Sequence, residues 1–259
     1  MSLHALLDLK GRAALVTGGS RGLGLQMAEG LGEMGARVAL TARKADELEE
    51  ACAHLDQMGI EAIGIPCDMQ DVKAIPAMVQ KAIERLGPLD ILVNNAGTTW
   101  GADMADHPLE AWLKVMNLNL TAMFVTTQEV GRRCMIPRQR GKILNIASIL
   151  GLVAGGERER PGTVGYNTSK GGVISFTRTV AAEWAQYNIN VNAIAPGFFP
   201  TKMTKGLLEM MGDKAASKAP LNRVGGPEDL KGLAVLFASD ACSFITGQVV
   251  AVDGGATIV

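Results

Sequence analysis

The 259-residue sequence predicts an α/β fold in which one parallel sheet is covered by helices on both faces. Short apolar runs of the buried-strand type alternate with amphipathic stretches of about 12–20 residues, which is the pattern of parallel sheets. No internal repeat, low-complexity segment or linker divides the chain, so residues 1–259 are expected to form a single domain. Glycine, with 31 residues, is abundant enough for many tight turns between strands and helices.

Composition argues against several classes of protein. The formal net charge is −1 and there is no basic stripe, so a nucleic-acid partner is not expected. No signal peptide is evident, and no uncharged apolar run reaches the roughly 18–20 residues of a membrane span. The cysteines are scattered without a Cys-x-x-Cys pair, which favours free thiols in a reducing cytoplasm over a metal site or a disulfide framework. They are Cys52, Cys67, Cys134 and Cys242.

The first predicted elements are a strand, a Gly-rich turn, a helix and a second strand. Residues 13–17 are typical of a buried strand, an amphipathic stretch follows to about Met34, and residues 37–41 predict the next strand. A turn in this place presents backbone N–H groups to a pyrophosphate at the positive end of a helix. This context indicates a dinucleotide site, and a merely tight turn is the alternative. The residues of the turn include Gly18, Ser20, Arg21, Gly22, Leu23 and Gly24.

The alternation of strands and helices continues along the chain. Helices are predicted at 46–58, 72–86, 109–135, from Tyr166 to about 186 and from about 227, and strands at 62–65, 89–93, 142–146, 190–194 and 248–252. Ligands bind beyond the carboxyl ends of such strands. Distinctive residues follow the strands there: Asp68, Asn94, Asn95, Ala96, Gly97, Ser148, Pro196 and Gly197. The predicted fold is therefore a single doubly wound Rossmann domain with its site at one edge of the sheet.

Tyr166 and Lys170 give the clearest indication of chemistry. At i and i+4 on a helix the two side chains share a face, roughly 5–6 Å apart at Cβ. A free phenol titrates near ~10, and a neighbouring ammonium lowers that pKa, which suits proton transfer to or from a carbonyl or an alcohol. Such pairs also arise by chance on ordinary helices, so the other motifs must support the interpretation.

Together these motifs resemble those of the short-chain dehydrogenase/reductase family, and especially its gluconate 5-dehydrogenase-like and 3-oxoacyl-[acyl-carrier-protein] reductase-like members. The resemblance implies a homotetrameric oxidoreductase that transfers a hydride between nicotinamide and a small-molecule carbonyl or secondary alcohol. The motifs run in the family's order over essentially the whole chain. They are Thr17-Gly18-x-x-x-Gly22-x-Gly24, Asn94-Asn95-Ala96-Gly97, Asn119, Ser148, Tyr166-x-x-x-Lys170, Pro196-Gly197 with Thr201, and Asp253-Gly254-Gly255.

The resemblance assigns catalytic roles to four residues. Tyr166 would protonate the carbonyl oxygen during reduction, while Lys170 would lower the pKa of Tyr166 and hold the nicotinamide ribose. Ser148 would position the substrate oxygen. Asn119, preferred over Asn117 because of its place in the family's helix pattern, would anchor a water that links Lys170 to solvent. The alternatives are a strand-end cap for Ser148 and an ordinary polar helix residue for Asn119.

The resemblance also predicts the residues that bind the dinucleotide. Ala42 stands where an acid would bind the ribose 2′-hydroxyl of NAD. Arg21 and Arg43 could together bind a 2′-phosphate, so NADP is favoured over NAD. Asp68 is either an adenine contact or a turn cap. The full predicted set is Gly18, Ser20, Arg21, Gly22, Leu23, Gly24, Arg43, Asp68, Met69, Asn95, Ala96, Gly97, Tyr166, Lys170, Pro196, Gly197 and Thr201.

Three further stretches lie beside the predicted cleft. Asp46 and Glu47 are explained as N-cap and first-turn residues of a helix. Ser148 and Tyr166 are 166 − 148 = 18 positions apart, more than is usual in the family, and the excess falls at residues 155–163. That charged segment is either a solvated loop or a wall that selects polar or anionic substrates. Residues 198–211 predict a second wall that acts as a mobile lid.

Two other function classes are compatible with parts of the sequence. A non-catalytic dinucleotide-sensing or scaffold protein fits the same fold, because fold does not fix function. Such a protein would be expected to lose part of the Asn, Ser, Tyr and Lys set, which this chain keeps. An epimerase or dehydratase on a related extended fold would usually need a larger substrate domain. Within the enzyme interpretation, the alternative is an NAD-preferring sugar-acid or cyclic-alcohol dehydrogenase.

Overall fold

A seven-stranded parallel sheet forms the centre of the protein. The computed structural model describes residues 1–154, 162–212 and 214–259. The strand order is β3-β2-β1-β4-β5-β6-β7, and every neighbouring pair is parallel. The order reverses between β1 and β4, the place where doubly wound sheets bind ligands. The strands are β1 (Ala13–Thr17), β2 (Arg37–Ala42), β3 (Ala62–Pro66), β4 (Ile91–Asn94), β5 (Gly141–Ile146), β6 (Ile189–Pro196) and β7 (Val249–Val252).

Helices cover both faces of this sheet, which confirms the predicted fold class. One apolar cluster contains Leu31 and Ala234 against Leu40, and the other contains Val79 and Val130 on the opposite face. Strands buried on both faces must be apolar throughout, and this is why they were recognisable in the sequence. The helices are α1 (Leu3–Leu7), α2 (Gly22–Glu33), α3 (Ala45–Gln57), α4 (Ile75–Leu86), α5 (Leu109–Met116), α6 (Ala122–Val130), α7 (Ile136–Arg138), α8 (Val164–Trp184), α9 (Lys205–Met211), α10 (Lys214–Ser217) and α11 (Lys231–Ala238).

Several predicted boundaries were wrong by a few residues. The helix expected from about 227 begins at Lys231, and the one expected from 72 begins at Ile75. α1, α9 and α10 were not predicted as helices, because each is short and lacks a long apolar period. The single helix expected over 109–135 is a continuous run of α5, α6 and α7 joined by π-helical turns at Asn117–Thr121 and Gly131–Met135. Such π-turns frequently occur at functional sites.

Candidate active site

A cleft of about 580 Å³ lies at the carboxyl ends of the strands. It brings together most of the residues that the sequence predicted for the site. Among the described residues, those lining it include Gly18, Ser20, Arg21, Gly22, Leu23, Arg43, Asp68, Met69, Asn95, Ala96, Gly97, Ser148, Tyr166, Lys170, Pro196, Gly197 and Thr201. Gly24 and Asn119 do not line the cleft itself, and each supports residues that do.

The Gly-rich turn packs closely against the loop that follows β4. A Cβ atom on Gly24 would lie 2.3 Å from the carbonyl oxygen of Gly18, so a larger residue would push the turn and the helix apart. The Asn95 side-chain amide donates to the carbonyl oxygens of Thr17 and Gly18 at 3.0 and 2.9 Å. The Thr17 hydroxyl accepts from the backbone N–H groups of Asn95 and Ala96, both at 3.0 Å. The turn is therefore held in a fixed shape at the start of α2, with room for a pyrophosphate over its backbone.

Ser148 and Tyr166 form the polar pair at the other end of the cleft. Ser148 follows β5 and is buried, and its hydroxyl accepts from the Leu150 N–H at 3.1 Å. The predicted cap contact of Ser148 is thus present, and a side-chain hydrogen bond to Tyr166 accompanies it. Burial raises the pKa of Tyr166 above its ordinary value, and the bond to Ser148 offsets part of that rise.

Lys170 was expected to lower the pKa of Tyr166, but the net shift is upward because burial is its largest cause. The two side chains do share a face of α8, with Lys170 Nζ 5.6 Å from the centroid of the Tyr166 ring. Lys170 is only 5% exposed, however, and its ammonium donates to the carbonyl oxygen of Ile146 at 2.6 Å. Burial lowers the pKa of Lys170 to about 8. The desolvation that weakens this cation also disfavours the tyrosinate, so Tyr166 is held in its protonated form.

Asn119 lies in the first π-helical turn and is 2% exposed. Its Oδ1 accepts from the Thr98 N–H at 2.8 Å, and its Nδ2 donates to the Thr98 carbonyl oxygen and to Ser169 Oγ, both at 2.9 Å. Ser169 in turn donates to the carbonyl oxygen of Tyr166 at 2.7 Å. Asn119 therefore ties the loop after β4 to the helical turn that carries Tyr166. Asn117, the alternative, instead donates to Gln70.

A small cavity of about 10 Å³ separates Asn119 from Lys170. Thr17 and Ile146 also line it. This volume is at the lower limit for one water molecule. The geometry is therefore compatible with the predicted water link, and protein partners already use both Nδ2 donors of Asn119.

Arg21 and Arg43 lie at one end of the cleft, which we call the adenosine end because they are predicted to bind the 2′-phosphate there. This end contains an acid that the sequence interpretation did not place there. Glu47 lines the cleft, and its carboxylate receives the Arg21 guanidinium at 2.5 Å. Glu47 does lie in the first turn of α3, as expected, but the N-cap of that helix is Lys44, with no side-chain cap. Arg43 is exposed and has no ion-pair partner in the part of the chain that the structure describes. Asp68 Oδ1 accepts from the Gln70 N–H at 3.0 Å, so its turn-capping role is present.

The segment after β6 closes the cleft from one side. Gly197 donates its N–H to the Val252 carbonyl oxygen at 2.9 Å, which fixes the exit of the strand beside β7. Thr201 lies against the Gly-rich turn, 3.5 Å from the position that a Cβ atom on Gly22 would take. The predicted wall at 198–211 contains α9, and its mobility stays a prediction. Most of the other predicted wall lies outside the described residues, which omit 155–161.

Several residues in or beside the cleft were missed by the sequence interpretation, among them Thr17, Glu47 and Lys202. Thr17 was quoted only as part of a motif, although its hydroxyl organises the loop after β4. In the sequence, Glu47 is typical of an exposed helix position and Lys202 of a loop. Only the structure, which brings them together in the cleft, identifies them as residues of the site. Within the described ranges, no helix has the length and apolar character needed to cross a bilayer, and no three His, Cys, Asp or Glu side chains gather as metal ligands would.

Comparisons with known proteins identify a family for this chain. The family model described as short chain dehydrogenase matches residues 12–212. A gluconate 5-dehydrogenase of Gluconobacter oxydans is 41% identical over 100% of this chain and 99% of its own length. A rhamnolipids biosynthesis 3-oxoacyl-[acyl-carrier-protein] reductase of Pseudomonas aeruginosa is 38% identical, covering 98% of this chain and 99% of that protein.

Solved structures are also similar to this chain over its full length. A gluconate 5-dehydrogenase from Burkholderia cenocepacia, in complex with NADP and tartrate, superimposes with a TM-score of 0.91 at 34% identity, and the match covers 100% of both chains. A short-chain type dehydrogenase/reductase from Mycobacterium marinum gives a TM-score of 0.94 at 34% identity, again over 100% of both chains. Since a family model matches most of the chain and its relatives match it over nearly their full length, the chain belongs to the short-chain dehydrogenase/reductase family and is an oxidoreductase that acts on CH–OH and C=O groups.

Proposed function

We propose that this protein is an NADP(H)-dependent oxidoreductase that interconverts a ketone and a secondary alcohol, with Tyr166 as the acid–base. The observation that carries the proposal is the pairing of Tyr166 with Ser148 over the buried Lys170, next to a turn that is open to a pyrophosphate. A scaffold role would not require these three side chains to converge in one cleft. The nicotinamide supplies or accepts the hydride when bound.

The side chains of the cleft account for the proton transfer. Tyr166 carries a proton at neutral pH, because burial raises its pKa. In the reduction direction it donates that proton to the carbonyl oxygen, on which Ser148 places a second hydrogen bond. The Lys170 ammonium lies beneath the ring and stabilises the tyrosinate that results. The cavity between Lys170 and Asn119 gives a route by which a water molecule returns the proton.

NADP is the cofactor that the adenosine end fits best. Ala42 leaves no acid at the end of β2, and Arg21, Arg43 and Lys44 all line the cleft beside it. Guanidinium and ammonium groups form strong hydrogen bonds with phosphate. Structures with bound NADP or NADPH among the similar proteins, including the one from Burkholderia cenocepacia, support this choice. Glu47, an acid that also lines this end, is the feature that favours NAD.

A small polyhydroxy acid is the proposed substrate class, because several relatives are named for gluconate or deoxygluconate compounds. One observation favours a 3-oxoacyl thioester instead. Apolar side chains near the site are 42–46% exposed, as an acyl chain would require: Leu152 and Val153, shortly after Ser148, and Met203 in the segment after β6. A relative from Pseudomonas aeruginosa is named for such a substrate.

We also propose that the enzyme is a cytoplasmic homotetramer. Leu109, Leu113 and Phe124 expose apolar side chains on the helical run after β4, and Phe124 makes an edge-to-face contact with Phe176 of α8. Helices with such a face are suited to pairing between subunits. The cysteines of the protein are free thiols, which suits a reducing compartment. Light scattering should give a mass about four times 27.2 kDa, and a monomer at micromolar concentration would contradict the proposal.

The decisive experiment compares substrates in the purified enzyme. NADPH absorbance is followed with 5-ketogluconate, 2-dehydro-3-deoxygluconate, a 3-oxoacyl thioester and a cyclic ketone, and the Ser148→Ala variant serves as the control for the site. Turnover of a keto acid that is lost in Ser148→Ala supports the proposed class. Turnover of the thioester alone would move the assignment to an acyl reductase. No turnover of any ketone, with tight NADPH binding, would favour a dinucleotide-sensing role.

A further inference from the structure

One oxygen atom of Glu47 lies at the centre of a charged cluster in the adenosine end of the cleft. Arg21 Nη1 is 2.5 Å from Glu47 Oε1, Lys44 Nζ is 3.3 Å away, and Lys202 Nζ is 3.9 Å away. The three cations come from the Gly-rich turn, from the start of α3 and from the segment after β6. We call Arg21, Arg43, Lys44, Glu47 and Lys202 the charged cluster.

The charges of the cluster do not balance. Arg21, Lys44 and Lys202 contribute three positive charges against the single negative charge of Glu47, so two remain uncompensated even before Arg43 is counted. Partial burial opposes ionisation of Glu47, but the hydrogen bond from Lys44 and the charges of Arg21, Lys44 and Lys202 hold the pKa of Glu47 below its ordinary value. The carboxylate is therefore present at neutral pH. A phosphate monoester carries about −1.5 to −2 charges, which matches the excess.

Lys202 extends this cluster across the cleft. It follows Thr201, whose side chain lies beside Gly22 of the Gly-rich turn. Lys202 also lines the cleft and reaches Glu47 of α3, on the opposite wall. The segment that closes the cleft is thus linked to the adenosine end through charge. An anion bound there would contact both walls at once.

We propose that Glu47 is an internal anion that occupies the cation cluster until the 2′-phosphate of NADP(H) binds, and that Lys202 then joins Arg21 and Arg43 as a ligand of that phosphate. This inference rests on the proposed function, because it assumes that NADP(H) is the cofactor. Glu47 lowers the affinity for the 2′-phosphate. Lys202 couples the position of the segment after β6 to the binding of that phosphate. Neither residue is needed for binding NAD(H).

A plain surface salt bridge would not place three cations from three separate segments on one carboxylate oxygen. If Glu47 were instead an ordinary acceptor for the 2′-hydroxyl of NAD, it would bind that hydroxyl while its Oε1 atom keeps the Arg21 guanidinium. Each of these two alternatives predicts binding behaviour that differs from that of the proposal. In the first, removing the charge of Glu47 changes little, and in the second it weakens the binding of NADH.

Binding of nucleotide fragments tests the proposal without measuring activity. Titration calorimetry compares 2′,5′-ADP, which carries the 2′-phosphate, with 5′-AMP, which does not. Glu47→Gln should tighten 2′,5′-ADP about fivefold, and Lys202→Gln should weaken it about fivefold, while the affinity for 5′-AMP changes less than twofold. The matched controls are Asp46→Asn, in the same turn of α3, and Lys205→Gln, an exposed lysine of the same segment that pairs with Glu209.

Hydrogen exchange provides a second readout. In the wild type, NADPH should protect the backbone amides of residues 201–211 more than NADH does, and Lys202→Gln should remove that difference. Variants that behave like their controls, or a Glu47→Gln protein that binds NADH more weakly, would overturn the inference and leave the proposed function intact. A wild-type protein that binds 2′,5′-ADP no better than 5′-AMP would instead refute the NADP assignment.

Discussion

At the end of the cleft that holds Tyr166, the polar side chains are buried and bound to neutral partners, whereas at the end that holds Arg21 they are exposed and bound to charges. Asn119 and Lys170 are 2% and 5% exposed, and their hydrogen bonds go to backbone carbonyls, a backbone N–H and a hydroxyl. The side chains of Arg21 and Lys202 are 47% and 66% exposed. At the buried end, hydrogen bonds fix the positions of the side chains. At the exposed end, charges determine which ligand groups are favoured.

This difference affects how each end responds to substitution. A buried hydrogen-bond partner that is removed leaves another group unsatisfied, which costs about 1–3 kcal/mol. An exposed ion pair contributes about 0.2–1 kcal/mol and is screened by salt. Changes at the end that holds Tyr166 should therefore alter rate and stability strongly. Changes at the end that holds Arg21 should have a small, salt-dependent effect on cofactor preference.

The largest expected effect is that of Tyr166→Phe. Removing the hydroxyl takes away the proposed acid and the partner of Ser148, so kcat should fall by roughly 10²–10⁴-fold. The ring is kept, so NADPH binding measured by fluorescence should survive. Tyr187→Phe is the matched control, because Tyr187 is the other tyrosine of the chain and lies in the turn after α8, away from the cleft. If Tyr166→Phe kept more than about a tenth of the activity, another group would have to be the acid.

A second test uses the burial of Lys170 and the pH dependence of stability. Its pKa falls from 10.5 to about 8 in the folded protein. Between these values the unfolded chain binds more protons, so this residue makes the free energy of unfolding rise with pH in that window. The ionised side chain costs roughly 3 kcal/mol below the window, and the cost fades above it.

The comparison of wild type with Lys170→Met isolates this contribution. Urea unfolding at pH 7.5 and 9.5 should show wild type gaining about 2 kcal/mol relative to the variant as the pH rises. Lys114→Met, which changes an exposed lysine of the same cleft, should show no such difference from wild type. A parallel pH dependence in wild type and Lys170→Met would mean that Lys170 is solvated like an ordinary lysine.

The buried end was also the more predictable one. Strands covered on both faces must be apolar, so their positions could be read from the sequence, and the residues at their ends converge for topological reasons. Ser148 follows β5, and Lys170 lies one helical turn after Tyr166 on α8, so both could be placed from their positions in these elements. The pKa shift of Tyr166 could not be predicted from the sequence. Burial raises this pKa, and the degree of burial depends on how tightly the cleft surrounds the ring.

The exposed end was predicted less well for a physical reason. Arg21, Arg43 and Ala42 were identified from their positions relative to β1 and β2, and all three line the cleft. Glu47 and Lys202 could not be assigned, because long charged side chains on a helix surface and a loop are compatible with many contacts. Their meeting point depends on the path of the segment after β6, which has no periodic pattern in the sequence.

A smaller effect is expected for Asn119→Ala. The substitution leaves the Thr98 N–H and carbonyl groups without their side-chain partner. It also removes the hydrogen bond between Asn119, in the π-helical turn, and Ser169. We expect a loss of about 2 kcal/mol in the free energy of unfolding. Asn117→Ala, which removes only part-buried contacts to Gln70, should cost less than half as much. Denaturant midpoints with unchanged slopes provide the measurement, and equal losses in the two variants would contradict the role given to Asn119.

The smallest and most salt-sensitive effect concerns the choice of cofactor. Each charge-assisted hydrogen bond from Arg21 or Arg43 to a 2′-phosphate is worth about 1.5–3 kcal/mol when well formed, and exposure and salt should reduce it toward the lower end. Wild type should therefore prefer NADPH by about tenfold in kcat/KM, with a preference that weakens as ionic strength rises. Ala42→Asp should reverse it, because it adds repulsion and an acceptor for a 2′-hydroxyl, and Arg43→Ala should raise KM for NADPH far more than for NADH. Arg85→Ala, an exposed arginine at the end of α4, controls for a general loss of positive charge. Equal kcat/KM values for the two cofactors in wild type would show that the exposed end does not discriminate, and the contrast between the two ends would then concern burial alone.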